Sequence, residues 1–343
     1  MPSLKRLLLS VAATGAGLLL LTSPLAAALE IRLATIAPPL TVWTNALATM
    51  GQAWAKDTAG RVTLTVYPNG GGVGEKAILQ QMRAGIDKYQ ASLITSGGLA
   101  DIDEDFNVFG IPFFFENDAE ELAVQQALTP VFTEKLNAKG YHLICWGTGG
   151  WVQIFSKKPL KSLDDLKKAK LYASKDDDKM LQWYVSNGFH AVGLQPADIV
   201  PQLKLGTGLI DTAPNPPYLA QMTGVFRDAT YMLDLHIAPL TGALIMSNSA
   251  WAKISPEDQA KVVAAANALE QSIRTGAPDL DAKSVKAMQD RGLTVITLDA
   301  KAMAEFRTEA LKLAQTMRGN MVSAAVYDQA VAERDAVRKA RGR

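Results

Sequence analysis

The first part of the chain alternates between two hydrophobic periods, and each period predicts a different element. Apolar residues spaced by four, three and four positions form one face of a predicted helix: Trp43, Leu47, Met50 and Trp54. Alternating apolar positions predict strands over 30–37 and 62–66, and the second ends at the turn-forming run Pro68-Asn69-Gly70. The order strand, helix, strand indicates an α/β unit.

The same alternation continues through the rest of the chain. Further strands are predicted over 91–94, 143–146 and 170–173, and further helices over 78–84, 120–140, 179–187 and 280–290. Strands that alternate with helices imply an α/β fold in which helices cover the faces of each sheet.

One strong helix start precedes a predicted break. Ser255 is suited to cap a helix, and Pro256 fits its first position. Gly276 and Pro278 should then kink or interrupt this helix before the one predicted over 280–290. We expect the basic residues 334–343 to form a frayed, solvated end.

Two stretches, 81–87 and 202–211, repeat one plan: an amphipathic helix, a glycine stop and a strand entered through an aspartate. An irregular segment follows each of them, 95–98 and 214–217. Ligands of open α/β sheets lie beyond the carboxyl ends of the strands. The repeat therefore suggests two lobes facing one cleft, and chance recurrence of a common α/β pattern is the alternative.

The N-terminal 28 residues have the three-part plan of a secretory signal peptide. Lys5 and Arg6 precede an apolar run of about 15 residues, and Ala26-Ala27-Ala28 offers small residues for cleavage. The run is shorter than the ~20 residues that span a bilayer. We expect cleavage after Ala28 and a periplasmic protein, with an uncleaved N-terminal anchor as the alternative.

Composition narrows the function classes. The 343 residues, 48% of them hydrophobic, are enough for two domains with cores. The 35 basic and 34 acidic residues lack the basic excess of a nucleic-acid binder. One cysteine excludes a disulfide framework, and three histidines leave little for a metal site. We expect no metal and no cofactor, and a buried, inert thiol at Cys145.

Two short motifs leave alternatives open. The glycine-rich run 70–74 lacks the Lys-Ser or Lys-Thr pair of a nucleotide loop, so we interpret it as an exposed turn, with phosphate binding as the alternative. The acidic triplet 176–178 suits the N-terminus of a solvated helix, and a cation site is the alternative. Nothing in the sequence matches a nucleophile elbow or a metal-ligand spacing.

Six segments, in order, carry a family resemblance: 31–34, 60–68, 106–115, 159–167, 211–216 and 251–259. The third is similar to a family run that ends in a proline followed by aromatic residues, and the last to the family's helix start at Ser255-Pro256-Glu257. From about Ile31 to about Met317 the chain resembles the DctP-type substrate-binding proteins of TRAP (tripartite ATP-independent periplasmic) transporters.

The resemblance implies a two-lobed receptor, not an enzyme, that closes over a solute and delivers it to small and large membrane subunits, most simply as a monomer. The lobes would be joined by crossing strands and by a long helix, which Gly276 and Pro278 put in question. We expect lobe I over 29–151 and 239–275, lobe II over 152–238 and 276–325, and a C-terminal tail over 326–343.

The sequence departs from the family pattern at two positions where the family binds its ligand. Tyr172 and Val152 stand where the family usually places two arginines that bind a substrate carboxylate. A buried carboxylate without a cation is costly, and neither side chain reproduces an arginine fork. The ligand is therefore expected to be neutral, aromatic or largely apolar rather than a small organic acid.

Seven residues are the candidate ligand contacts: Trp43, Ser96, Trp151, Tyr172, Asn215, Tyr218 and His236. Trp151 and Tyr172 would pack on the ligand, and Asn215 would orient it by hydrogen bonds, as the family's asparagine does. Two other functions stay open. An exported enzyme would use the same cleft with His236 as acid or base, and a receptor could report its ligand to a membrane sensor.

Overall fold

The computed structural model describes residues 28–83 and 86–342. Residues 1–27 of the predicted signal peptide lie outside this part, as do Ala84 and Gly85 of the predicted repeat.

The strands form one five-stranded and one six-stranded sheet. Their bounds are β1 Leu29–Thr35, β2 Val62–Tyr67, β3 Ala91–Thr95, β4 Tyr141–Trp151, β5 Gln153–Ser156, β6 Leu171–Ser174, β7 Ala191–Leu194, β8 Thr212–Asn215, β9 Tyr231–Leu233, β10 Pro239–Ser247 and β11 Thr294–Ile296. The first sheet has the order β2-β1-β3-β10-β4, and the second β11-β9-β5-β8-β6-β7. We call the part built on the first sheet the first lobe and the part built on the second the second lobe.

Helices cover both sheets. Their bounds are α1 Val42–Asp57, α2 Glu75–Met82, α3 Ser96–Leu99, α4 Asp118–Ala138, α5 Leu163–Lys168, α6 Asp178–Ser186, α7 Ile199–Lys204, α8 Pro217–Thr223, α9 Val225–Asp228, α10 Asn248–Trp251, α11 Pro256–Gln289, α12 Ala300–Met317 and α13 Ala324–Ala340. The predicted two-lobed α/β architecture is confirmed, and no helix of the described residues is long and apolar enough to cross a membrane.

Hydrophobic periodicity places the core as predicted. The helix face predicted from the first apolar pattern is buried in the first lobe between α1, the sheet and α11: Trp43, Leu47, Met50 and Trp54. Cys145 is buried in the same core, as expected, and burial raises the pKa of its thiol.

Two strand connections cross between the lobes side by side. β4 ends at Trp151 and β5 begins at Gln153, so Val152 is the crossing residue of the first connection. Its amide donates to the Ala238 carbonyl at 2.9 Å, and its carbonyl accepts from the Ile237 amide at 3.0 Å. These bonds tie the first crossing to the second, which runs from β9 to β10.

A long helix forms the third connection and corrects one prediction. α11 is continuous from Pro256 to Gln289, with Pro278 inside it. It buries Val262 to Ile273 in the first lobe and Met288 in the second. Proline removes one hydrogen bond of the helix. Because both ends of α11 are packed into cores, this local cost does not interrupt it.

The C-terminal residues were expected to be frayed, and this expectation is wrong. α13 runs to Ala340 and packs on α4, with Val326 and Ala330 buried. Arg338 lies 2.9 Å from a carboxylate oxygen of Glu120, whose residue is 1% exposed. A buried carboxylate needs a cation, and the basic end of the chain supplies it.

Candidate ligand-binding cleft

The lobes face each other at the carboxyl ends of parallel strands. Gly74 precedes α2 in the first lobe, whereas Asp176 follows β6 and Gln195 follows β7 in the second. A methyl group on Gly74 would lie 2.6 Å from Gln195 Oε1 and 3.0 Å from Asp176 Oδ2. The glycine-rich run interpreted as an exposed turn therefore ends at the contact between the lobes, which is the candidate site.

Glu75 is the first-lobe carboxyl group of this cleft. Its two oxygens accept from the Thr95 amide at 2.7 Å and the Thr95 hydroxyl at 2.6 Å. Burial raises the pKa of Glu75 to about 7, because the hydrogen bonds from Thr95 only partly compensate and the charges of Asp176 and Asp101 add repulsion. At neutral pH this carboxyl group is divided between its charged and neutral forms.

Tyr172 and Asp176 form the opposing wall. Tyr172 projects from β6, and its pKa is raised by burial and by the nearby charge of Glu75 in the first lobe. Asp176 accepts from Gln195 Nε2 at 3.1 Å. Gln195 Oε1 is buried and accepts no hydrogen bond from any described residue. The second wall thus presents a phenol, a carboxylate and an unused amide oxygen.

The residues of the acidic triplet 176–178 have different contacts, some at the start of α6 and some in the cleft. Asp177 caps α6 by accepting from the Met180 amide at 3.0 Å, as the helix interpretation predicted. Burial raises the pKa of Asp177. Asp101 follows α3 in the first lobe; desolvation raises its pKa, and the charges of all three aspartates of the triplet add to the effect. The triplet therefore adds negative charge near Asp101, and Asp101 and Asp176 add it near Glu75.

Trp43 and Tyr218 join α1 to α8 beside the crossing strands. The Trp43 and Tyr218 rings meet edge to face with centroids 5.5 Å apart. Trp43 Nε1 donates to the Thr148 carbonyl at 2.9 Å, and the Val42 amide donates to the Tyr218 hydroxyl at 2.9 Å. Trp43 is only 8% exposed. These contacts occupy the polar atoms of both side chains.

Trp151 and His236 lie at the two strand crossings. Trp151 Nε1 donates to Asp118 Oδ1 at 2.7 Å, and its ring centroid is 5.9 Å from that of His236. The His236 side chain is 60% exposed, with Nδ1 3.4 Å from Asp234 Oδ1. Gly150 has φ +84°, and a methyl group there would lie 2.2 Å from Asp281 Oδ2, so this crossing requires glycine.

Ser96 and Asn215 lie in the two segments that follow the internal repeat, which were expected to be irregular and are instead a short helix and the end of a strand. Ser96 begins α3 directly after β3, and Asn215 is the last residue of β8. Both residues are buried, at 9% and 7% exposure, and neither side chain makes a hydrogen bond within the described part of the chain. The predicted contacts therefore fall into a crossing group, Trp43, Trp151, Tyr218 and His236, and strand-end positions, Ser96, Tyr172 and Asn215.

Sequence reasoning missed Glu75, Asp101 and Gln195. It favoured a helix end for Asp176 and kept a cation site as the alternative, without placing the residue in the cleft. One signal was available: Glu75 directly follows the glycine-rich run, which itself follows the predicted strand 62–66. A carboxylate there lies at the carboxyl edge of the sheet. The distance in sequence between 75 and 176 hid their proximity.

His142 lies outside the cleft, on β4. His142 stacks on Trp251 with centroids 4.2 Å apart, and burial lowers its pKa. No group of three or more His, Cys, Asp or Glu side chains in residues 28–83 and 86–342 is arranged to hold a metal ion.

Two sheet-based lobes, three connections between them and a polar cleft at strand ends define a two-lobed solute-binding protein. The model of the family described as bacterial extracellular solute-binding protein, family 7 (DctP), matches residues 33–320. The chain belongs to this family, whose members include the receptors of TRAP transporters.

The chain is similar to several solute-binding proteins. The C4-dicarboxylate-binding periplasmic protein DctP of Rhodobacter capsulatus is 26% identical over 289 residues, which cover 83% of this chain and 84% of that protein. A sugar acid binding protein of Advenella mimigardefordensis, solved with galactonate, has a TM-score of 0.82 at 16% identity and covers 90% of this chain and 98% of its own. A TRAP solute-binding protein of Xanthobacter autotrophicus, solved with β-D-galacturonate, has a TM-score of 0.80 at 21% identity and covers 89% of this chain and 99% of its own.

Proposed function

We propose that this protein is the periplasmic receptor of a TRAP-type secondary transporter, acting as a monomer. It captures a small organic solute between its lobes and delivers it to the small and large membrane subunits. The observation that supports this proposal is the contact of Gly74 in the first lobe with Gln195 and Asp176 in the second. A ligand that touches both walls favours the closed arrangement, because it makes all its contacts only when the lobes meet.

The ligand contacts that we propose follow the geometry. Tyr172 packs on the ligand, and Ser96 and Asn215, whose side chains have no hydrogen bond within the described residues, orient it. Trp43, Trp151, Tyr218 and His236 frame the cleft from the crossing strands. The ligand is not anchored by an arginine fork, since Tyr172 and Val152 occupy the two positions where the family places arginine.

Uptake by membrane vesicles that contain the two membrane subunits tests this function. Solute identified by native mass spectrometry of protein from its own source should enter the vesicles only when receptor is added. Tyr172→Ala should weaken binding about tenfold or more, corresponding to the loss of about 1.4 kcal/mol or more. The control Tyr231→Ala changes a tyrosine on β9, which β5 and β8 separate from β6, and should leave affinity unchanged.

Two results would overturn the proposal. Uptake that proceeds equally without added receptor would remove the transport role. Conversion of the bound compound to a product of different mass, lost in a His236→Gln variant, would establish an exported enzyme that uses the same cleft.

A further inference from the structure

We propose that the ligand carries a protonated amine, which binds between Glu75 of the first lobe and Asp176 of the second. This inference rests on the proposed receptor function and names the chemical class of its ligand. The family members of known structure described above were solved with sugar acids, so the charge of the ligand's anchoring group would be reversed in this protein.

The carboxyl groups of the cleft, which are half-buried or, at Asp101, exposed, have no cation partner. Each fully buried acid of the described residues has one: Glu121 pairs with Arg274, Glu120 with Arg338, Asp105 with Lys135, Asp258 with Arg61 and Glu309 with Lys167. None of the ion pairs found among the described residues includes Glu75, Asp101, Asp176 or Asp177. Withdrawing a charge from water is costly without a partner. A cation from outside the chain would supply that partner in this cleft.

The nearby lysines do not neutralise the cleft. Lys76 is exposed and lowers the pKa of Asp101 only in part, since the net shift is upward. Lys179 Nζ lies 2.7 Å from a carboxylate oxygen of Glu104 in the first lobe, so its charge is paired in a contact between the lobes. Opposite Glu75, the second lobe presents Tyr172 and Asp176.

An unused acceptor points to the same ligand chemistry. Gln195 Oε1 is buried at the contact between the lobes and has no donor, while its Nε2 is held by Asp176. An ammonium group donates three hydrogen bonds and accepts none. Glu75, Asp176 and Gln195 Oε1 together supply three acceptors. A carboxylate ligand would face these same oxygens and be repelled.

An amine fits this arrangement better than a metal ion. Both Glu75 oxygens already accept short hydrogen bonds from Thr95, which fix the carboxyl group at the cleft edge. Calcium and magnesium ions require six or more oxygen ligands gathered around one point, and no group of three or more His, Cys, Asp or Glu side chains in the described residues is arranged to hold a metal ion. The amine needs only three, and an organic body attached to it would pack on Tyr172.

Binding of an amine should release protons. The charges that act on Glu75 are those of Asp176, at the start of α6, and Asp101, after α3. The charged and titratable groups around these acids and Tyr172 are Lys76 on α2, Asp177, Asp178 and Lys179 at the start of α6, and Asp198 before α7. Burial and the charges of Asp176 and Asp101 hold the pKa of Glu75 at about 7, and a bound cation lowers it. Affinity should therefore rise from about pH 5 to about pH 8, with up to about half a proton released at pH 7.

Matched probes of different charge test the inference on the mature protein. One set is phenethylamine, phenethyl alcohol and hydrocinnamate, and another is butylamine, butanol and butyrate, each scored by thermal shift and calorimetry. We expect the amines to stabilise the protein and to bind at least tenfold more tightly than the alcohols, with no binding of the carboxylates. Calcium and magnesium chloride serve as further probes and should give no shift.

Substitutions at the two carboxyl groups test where the amine binds. Glu75→Gln and Asp176→Asn should each weaken the tightest-binding amine at least tenfold, and Glu75→Gln should also abolish proton release. Asp164→Asn is the control, because it removes one negative charge from an exposed pair with Lys168 in the second lobe. It should leave both affinity and proton release unchanged.

Several outcomes would overturn the inference while leaving the receptor function intact: tighter binding of the carboxylates or alcohols, stabilisation by the metal ions instead of the amines, or no stabilisation by any amine of either set. Equal loss of affinity in Asp164→Asn would also overturn it, since the effect would then come from net charge alone. The receptor function fails separately, through uptake that needs no receptor.

Discussion

At the scale of single residues, Glu75 shows how position decides chemistry. The same residue type at Glu120 has its pKa lowered, because the hydrogen bond and charge of Arg338 outweigh the effect of burial. At Glu75 burial dominates and the pKa rises to about 7. Glu120 thus stabilises the fold as an ion, whereas Glu75 lies in the cleft with its charge only partly compensated.

Glu75→Gln should change the pH dependence of stability. A carboxyl group whose folded pKa is raised from 4.5 to about 7 binds more protons when folded, so the wild type loses stability as pH rises through that window. The free energy of unfolding of the variant, measured relative to the wild type, should therefore be higher at pH 8 than at pH 4.5. We expect an increase on the order of 1–3 kcal/mol after a discount for the partial exposure of Glu75. Urea unfolding at both pH values measures this; parallel pH profiles for the two proteins would contradict it.

The sequence predicted part of the site at this scale. Tyr172 at the position of a family arginine was readable from the aligned motif, and the structure places its side chain opposite Glu75. The acidic wall was not readable. Glu75 and Asp101 of the first lobe lie near Asp176 of the second only because the two sheets face each other, and no local sequence pattern encodes that arrangement.

At the scale of elements, α11 shows local rules overridden by packing. The helix start at Ser255 and the buried face were predicted correctly, since capping and periodicity are local properties. The break at Pro278 was predicted wrongly. A proline costs one hydrogen bond of the helix, whereas the flanking turns bury apolar side chains in both lobes.

Pro278→Ala should therefore stabilise the protein. The substitution restores the amide that can bond within the helix and removes the ring, for a gain of about 1–3 kcal/mol in the free energy of unfolding. Pro256→Ala is the matched control at the first position of the same helix, where proline is well accommodated. Chemical denaturation compares them, and a destabilised Pro278→Ala variant would show that the proline shapes a needed bend.

An ion pair between Arg338 and Glu120 fixes the end of the last helix, α13, against α4. Arg338→Met leaves Glu120 buried without its cation, so we expect a loss of about 3 kcal/mol in unfolding free energy. Lys339→Met changes the exposed neighbour on α13 and should stay within about 0.5 kcal/mol of the wild type. Equal effects of the two substitutions in denaturant titrations would show that Arg338 is no anchor. The sequence showed the basic residues at this end but not the buried acid that they serve.

At the scale of the whole molecule, three connections let two lobes meet at one cleft. The crossings at Val152 and at 236–238 are bonded to each other, and α11 is packed into both lobes. The two-lobed plan was predictable from alternating elements and a repeated motif. The closeness of the lobes at Gly74 was not, because it depends on how the sheets are oriented.

Gly74→Val should hold the lobes apart. Its side chain would collide with Gln195 and Asp176 across the cleft, so the closed arrangement loses contacts and affinity falls about tenfold, or about 1.4 kcal/mol. At Gly206, in the second lobe, an added Cβ meets nothing within 4 Å, so Gly206→Val is the control. Small-angle scattering should show ligand-induced compaction in the control and less in Gly74→Val; equal compaction would place closure elsewhere.

A crystal structure of the protein with the solute that copurifies from its own source tests the central claim most directly. We predict lobes closed on a molecule whose amine nitrogen lies within hydrogen-bond distance of both Glu75 and Asp176. A carboxylate of the solute against Tyr172 with no amine at these residues, or a solute bound outside the cleft, would contradict the account.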